Sequence, residues 1–149
     1  MENDFSLTLA NQICFAVYDT NRLFIKFYQK ALKPFNLTYP QYIVLLALWE
    51  NDHQTLKQLS ERLSLGSNTL TPLLKRLEQE AWIIREQPEA DKRQLLVHLS
   101  DKSQKSKTDV QNAVLECVGK RMVTDLNEYN EALEVIQKMN KELKRLIEN

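Results

Sequence analysis

A chain of 149 residues with twenty basic and twenty acidic side chains carries no net charge. It is long enough to bury one core, and its charge balance argues against a protein that coats nucleic acid while leaving room for a local basic patch. Two cysteines outside any C-x-x-C pair, two histidines and two glycines leave neither a zinc finger nor a phosphate-cradling loop, so no metal or cofactor is expected.

No apolar run reaches transmembrane length, and Asp4 interrupts any secretion-signal pattern. A cytoplasmic protein with no membrane partner is expected. In chain order, residues 6–33 read as one helix without Pro or Gly. Its broad stripe of Ile13, Cys14, Val17, Tyr18, Phe24, Phe27, Tyr28 and Ala31 calls for cover on more than one side. Pro34 ends or kinks it. Thr38-Tyr39-Pro40 opens a second helix, capped by Thr38 or Tyr39, whose run Tyr42 to Trp49 is almost wholly apolar.

The stretch Gln54 to Leu99 organises the chain. Leu56 to Leu63 is a short helical pattern, Ser64-Leu65-Gly66-Ser67 a turn, and Asn68 to Gln79 a second helix capped by Ser67 or Asn68. Leu70, Leu73, Leu74 and Leu77 recur at i, i+3, i+4 and i+7, so one face is buried. Asn68, Thr71, Pro72, Lys75, Arg76 and Gln79 fill the other. Those side chains bond phosphates and base edges, although a polar back is commonly just a solvated face. Pro72 reads first as an irregular helix entry and second as an apolar contact to a thymine methyl. Two strand-like runs, Trp82 to Gln87 and Arg93 to Leu99, flank the polar turn Pro88 to Lys92. Leu95, Val97 and Leu99 face one way and Gln94, Leu96 and His98 the other. His98 reads as an ordinary strand residue. Arg93 is suited to a minor groove, or to a salt bridge with Asp91.

The order of short helix, turn, helix and β-hairpin is that of a winged helix-turn-helix. The fold is mainly α with a small β-wing, and DNA binding is the leading expectation. Ser100-Asp101 caps a helix to about Met122, with a polar, solvated start and a stripe of Val110, Ala113, Val114 and Cys117. Thr124 or Asn127 opens the last helix. There Leu126, Tyr129, Leu133, Ile136, Leu143 and Ile147 follow a coiled-coil-like spacing that needs a partner helix, and a two-fold dimer is the simplest answer. The chain then divides into a DNA-binding lobe at 40–100 and a helical dimerisation region at 1–39 and 101–149.

Three blocks carry a family resemblance: Gln12-Ile13-Cys14-Phe15 with Tyr18, Asn36-Leu37-Thr38-Tyr39-Pro40-Gln41-Tyr42, and Thr69 to Glu78 with Asp91-Lys92-Arg93. Over nearly its whole length the chain resembles the MarR family of winged-helix repressors. The match is best with the peroxide-sensing OhrR-like branch, which includes the MgrA- and SarZ-type regulators. The resemblance implies a homodimer on a pseudo-palindromic operator of double-stranded DNA. Its expected contacts are Ser67, Asn68, Thr69, Thr71, Pro72, Lys75, Arg76 and Gln79, with Lys92 and Arg93 in the wing. The family usually reads Asp-Ser-Gly-Thr before the recognition helix, whereas this chain has Gly66-Ser67-Asn68-Thr69, which puts base preference or helix entry in doubt.

The resemblance also implies that Cys14 senses peroxide. Tyr28 and Tyr39 would reach it from the other subunit, Tyr18 would lie nearby, and Cys117 of the other subunit would resolve the sulfenic acid as a disulfide. From the residues alone, a cysteine on an apolar helix face is more often inert packing. Two alternatives stand beside redox sensing. One is a repressor of the same fold gated by a phenolic compound. The other is a thiol peroxidase, disfavoured because the sequence offers Cys14 no helix N-terminus and no basic group nearer than Arg22 at i+8.

Overall fold

The computed structural model describes residues 7–120 and 122–148, in two compact units, Met1–Val114 and Leu115–Asn149. In the first unit a 3-10 turn, Leu9–Asn11, precedes helix α1, Ile13–Leu32. The expected start near residue 6 is therefore corrected. Gln12 is extended, and its N–H closes the turn onto the Leu9 carbonyl, so the helix begins one residue later. No Gly or Pro marks that boundary. Among the described residues only Ala31 and Leu32 of this helix are buried, so α2 and α5 cover it less than the broad stripe required.

Pro34 lies in a 3-10 turn, Lys33–Phe35, and Asn36 at φ 54° reverses the chain in the left-handed region that Asn tolerates. Helix α2, Tyr39–Glu50, starts from a capping box. The Gln41 N–H donates to the Thr38 hydroxyl, and the Thr38 N–H donates to Oε1 of Gln41 at 2.9 Å. Pro40 falls in the first turn, where its missing N–H is not needed. Tyr42, Val44, Leu45, Ala47, Leu48 and Trp49 are buried, which makes α2 the centre of the core.

Sequence periodicity gave no sign of strand β1, Gln54–Thr55, which is too short to have a period. Gln54 is 4% exposed, and its amide donates to the carbonyls of Ala47 and Asn51, so its burial leaves no unmet donor. A second capping box, Thr55 with Gln58, opens α3, Leu56–Leu63. Ser64, at φ 53°, ends it and turns the chain into α4, Ser67–Gln79. The cap of α4 is Gly66, not Ser67 or Asn68, because the N–H groups of Thr69 and Leu70 already bond the Gly66 carbonyl. Pro72 is thus the sixth helical residue, and the bond its nitrogen would have given Asn68 is lost.

Strands β2, Ile83–Glu86, and β3, Leu96–Leu99, form the wing and are shorter than the runs expected for them. The antiparallel sheet has the order β1-β3-β2, with Gln54 opposite Val97 and Ile83 opposite Leu99. Val97 and Leu99 point into the core, as the alternation required. Helix α5, Asp101–Val114, follows, with the Ser100 hydroxyl accepting the Ser103 N–H. Its start is not wholly solvated as expected. Ser103 is fully buried, its hydroxyl donates to the Trp82 carbonyl, and its own carbonyl accepts the Trp49 indole N–H at 3.3 Å.

The second unit opens with a single π-helical turn, Leu115–Gly119, so regular helix stops well before Met122. Helix α6, Leu126–Glu148, is capped by Asp125, not by Thr124 or Asn127. Its carboxylate accepts the N–H groups of Asn127 at 2.8 Å and Glu128 at 3.3 Å. Among the described residues no helix is long and apolar enough to cross a membrane.

Candidate nucleic-acid interface and thiol site

Helix α4 separates its two faces cleanly. Leu70, Leu74 and Leu77 are fully buried against α2, α3 and β2. Leu73 is half-buried. Ser67, Asn68, Thr69, Thr71, Pro72, Lys75, Arg76 and Gln79 are all exposed, and so are Lys92 and Arg93 in the wing. Among the described residues none of the four cationic side chains in that set is held in an ion pair. They are available to phosphate.

The salt bridge weighed for Arg93 and Asp91 does not form. Asp91 instead accepts the Arg93 backbone N–H at 3.0 Å, which fixes the turn and leaves the guanidinium outside it. Sequence reasoning also missed how the wing is aimed. Arg85 on β2 donates through Nε at 3.0 Å and Nη2 at 2.6 Å to Oε2 of Glu78 on α4, and its backbone N–H reaches Oε1. The Arg85 hydrogen bonds hold the Glu78 carboxyl below its usual range. The only available signal was two opposite charges flanking the α4-to-β2 turn.

His98 is not an ordinary strand residue. Its ring stacks on that of His53 with centroids 4.9 Å apart, and its Nε2 lies 3.2 Å from Glu86. Asp52 accepts the N–H groups of His53 and Leu99, which ties the end of α2 to the wing. Among the described residues no group of His, Cys, Asp and Glu is arranged to hold a metal.

Cys14 is exposed and is the second residue of α1. The sequence expectation that no helix N-terminus lies beside it is corrected. It sits in a first turn whose amides have no acceptor within the helix. Tyr18 follows one turn on, and the Arg22 guanidinium rests 5.7 Å from its ring centroid.

Tyr28 and Tyr39 meet with ring centroids 4.7 Å apart, and buried Tyr42 lies behind both. Burial, reinforced by the Tyr39 charge, pushes the Tyr42 phenol up from its ordinary range. Tyr28 lies fourteen positions beyond Cys14, about 21 Å along α1. One chain therefore does not bring this cysteine to this tyrosine pair. Cys117, half-buried, lies in the π-helical turn of the second unit. On α6, Leu126, Tyr129, Leu133, Ile136, Leu143 and Ile147 are all exposed, and no described residue of that helix is buried.

Residues 26–110 match the family model described as transcriptional regulator SarA/Rot. An organic hydroperoxide resistance transcriptional regulator of Bacillus subtilis is 46% identical over 102 residues, which are 68% of this chain and 69% of that protein. The HTH-type transcriptional regulator MgrA of Staphylococcus aureus is 41% identical over 106 residues, 70% of this chain and 72% of its own. AbfR of Staphylococcus epidermidis has been solved in several states. Reduced AbfR bound to DNA is 47% identical with a TM-score of 0.85, covering 93% of this chain and 94% of AbfR. Overoxidised AbfR bound to DNA gives 46% and 0.83, covering 95% and 96%. Disulfide-formed AbfR gives 48% and 0.64, covering 95% and 93%.

Proposed function

Because this chain belongs to the SarA/Rot family of MarR-type, winged-helix transcriptional regulators, we propose that it binds a pseudo-palindromic operator as a homodimer and that oxidation of Cys14 releases or alters that binding. The observation that carries the reading is the α4 face. Every candidate contact on it is exposed while Leu70, Leu74 and Leu77 behind it are fully buried, and the wing beside it is braced by Arg85 and Glu78. In a dimer two such helices enter successive major grooves about one turn apart, and Arg93 enters the flanking minor groove.

The redox step begins with the Cys14 thiolate attacking a hydroperoxide oxygen. The O–O bond breaks, an alcohol leaves after taking up a proton, and Cys14 becomes a sulfenic acid. The Cys117 thiol of the second subunit then attacks that sulfur. An S–S bond forms and water leaves, so two thiols are oxidised and one hydroperoxide is reduced. Tyr28 and Tyr39 of the second subunit supply hydroxyl groups to the Cys14 site, with Tyr18 beside it. Disulfide formation needs Cα atoms within about 4.4–6.8 Å, and in this reading the helical backbone near Cys117 shifts as the bond forms. The π-helical turn there supports that reading, since such turns mark sites of altered helix geometry. AbfR adds support, because its disulfide form is matched less well than its reduced, DNA-bound form at nearly equal identity.

The protein is read as a cytoplasmic repressor that senses peroxide stoichiometrically rather than as a thiol peroxidase. The test is operator binding by fluorescence anisotropy, reduced against organic-hydroperoxide-treated. The wild type should lose affinity on oxidation, and Cys14→Ser should bind equally before and after. If Cys14→Ser responds as the wild type does, Cys14 is not the sensor. A response to salicylate-like compounds with none to peroxide would select the ligand-gated reading.

A further inference from the structure

The end of α4 leaves backbone carbonyls that no N–H of the helix can meet. The Trp82 N–H returns to the Leu77 carbonyl at 2.8 Å, and the Ala81 N–H to that of Glu78 at 2.9 Å. That double closure puts Ala81 at φ 59°, where glycine is the usual residue. The next three carbonyls, of Glu80, Ala81 and Trp82, are all met by side chains of the segment that opens α5. The Lys102 ammonium donates to the Glu80 carbonyl at 2.7 Å. The Ser100 hydroxyl donates to the Ala81 carbonyl at 2.6 Å, and the Ser103 hydroxyl to that of Trp82. The Lys102 ammonium also stands 4.5 Å from the centroid of the Trp82 ring, within cation–π range. It is thus a cation held at the negative end of the recognition helix.

We propose that Lys102 is a positioning residue for DNA reading, which sets the tilt of α4 from its C-terminal end without touching DNA itself. The proposal rests on operator binding by the α4 face. Leu70, Leu74 and Leu77 hold α4 in the lobe, but apolar packing is non-directional. The hydrogen bond and the ring contact of Lys102 are directional, and both act at one point on the helix end.

Helix α4 is about 20 Å long, so a tilt of about 4° pivoting at its end moves its first turn by about 1.4 Å. Hydrogen bonds to base edges do not tolerate such a shift, because they weaken steeply with distance and angle. Long Lys and Arg side chains follow a phosphate through it. The signature of Lys102 is therefore a loss of sequence preference rather than of general affinity. That separates it from a residue that neutralises phosphate.

The test measures operator and scrambled duplex side by side with reduced protein, by fluorescence anisotropy. Lys102→Met keeps an apolar stem beside the Trp82 ring and removes the charge and the donor. It should weaken operator binding about fivefold and leave the scrambled duplex within about twofold. The salt dependence of operator binding should be unchanged, since no phosphate contact is lost. Lys102→Arg keeps a cation and a donor and should restore most of the operator affinity. Lys102 is exposed, and circular dichroism with urea unfolding checks that both variants are folded. Wild-type operator affinity in Lys102→Met overturns the proposal, and so does a Lys102→Arg loss as large as that of Lys102→Met. An equal loss on both duplexes with a flatter salt dependence overturns it too, because Lys102 would then be a phosphate contact. These outcomes leave wild-type operator binding intact. Failure of the wild type to prefer operator over scrambled DNA would instead overturn the proposed function itself.

Discussion

Helices α4 and α6 look alike as sequence and behave oppositely in the fold. Both carry leucines at helical spacing with a polar back. In α4 the stripe of Leu70, Leu74 and Leu77 is wholly buried, because α2, α3 and β2 surround it. In α6, Leu133 remains 41% exposed and Ile147 81%. Burying such a side chain contributes about 1.5–3 kcal/mol. The recognition helix is therefore complete within one chain, while α6 presents apolar surface that a second copy would cover. The exposed Ile13, Phe15, Val17 and Tyr18 of α1, around Cys14, belong with α6 in this respect. On the proposed reading, each chain carries its own DNA-reading face, while sensing oxidant needs the pair.

The largest expected effect breaks the closed side of that comparison. Leu74→Ala should cost about 3 kcal/mol of stability, within the roughly 2–5 kcal/mol range for buried leucine truncations, as read by urea unfolding. In a chain held monomeric, Leu143→Ala on α6 should cost under about 0.5 kcal/mol. Equal costs would remove the distinction between the two helices.

Next comes the open side. Leu133→Glu with Ile136→Glu should yield monomers in sedimentation and lower operator affinity by about a hundredfold or more, since two linked half-sites are lost. A tight dimer from this variant would move the interface elsewhere. A smaller effect is expected on the contact face. Arg93→Ala and Lys75→Ala should each weaken operator binding about tenfold and flatten its salt dependence, with folding unchanged. Wild-type affinity from both near physiological salt would overturn the contact assignment.

The smallest effect concerns the brace between α4 and the wing. The Glu78 carboxyl is held low by Arg85, so its stabilisation is fully present above the ordinary glutamate range. It disappears as pH falls through the lowered value. Glu78→Gln should cost about 0.5 kcal/mol near neutrality, given the partial exposure of the pair, and the gap to wild type should close in acid. A gap that widens on acidification would contradict the assignment.

Where hydrophobic period and turn residues coincide, the sequence was legible. The bounds of α3, the position of α4 and the inward side of β3 follow from Leu spacing, Gly66 and strand alternation. The exposure of the candidate DNA contacts on α4 was legible for the same reason, because they face away from Leu70, Leu74 and Leu77. Strand β1 was not, since two residues carry no period and pair only once β3 is in place. The start of α1 was not, because it depends on an extended Gln12 within a continuous helical pattern. That single backbone choice moves Cys14 from mid-helix to a first turn. Side-chain contacts between elements, such as Arg85 with Glu78 and His53 with His98, were equally hidden.

The claim that one chain reads DNA while two are needed to sense peroxide is tested most directly by mixing the single-cysteine variants. Cys14→Ser retains Cys117, and Cys117→Ser retains Cys14. Each alone should stay monomeric on a non-reducing gel after hydroperoxide treatment. Their exchanged mixture should give a covalent dimer through Cys14 of one copy and Cys117 of the other, with a matching loss of operator affinity. A covalent dimer in Cys117→Ser alone, or none in a mixture shown to exchange subunits, would contradict the account.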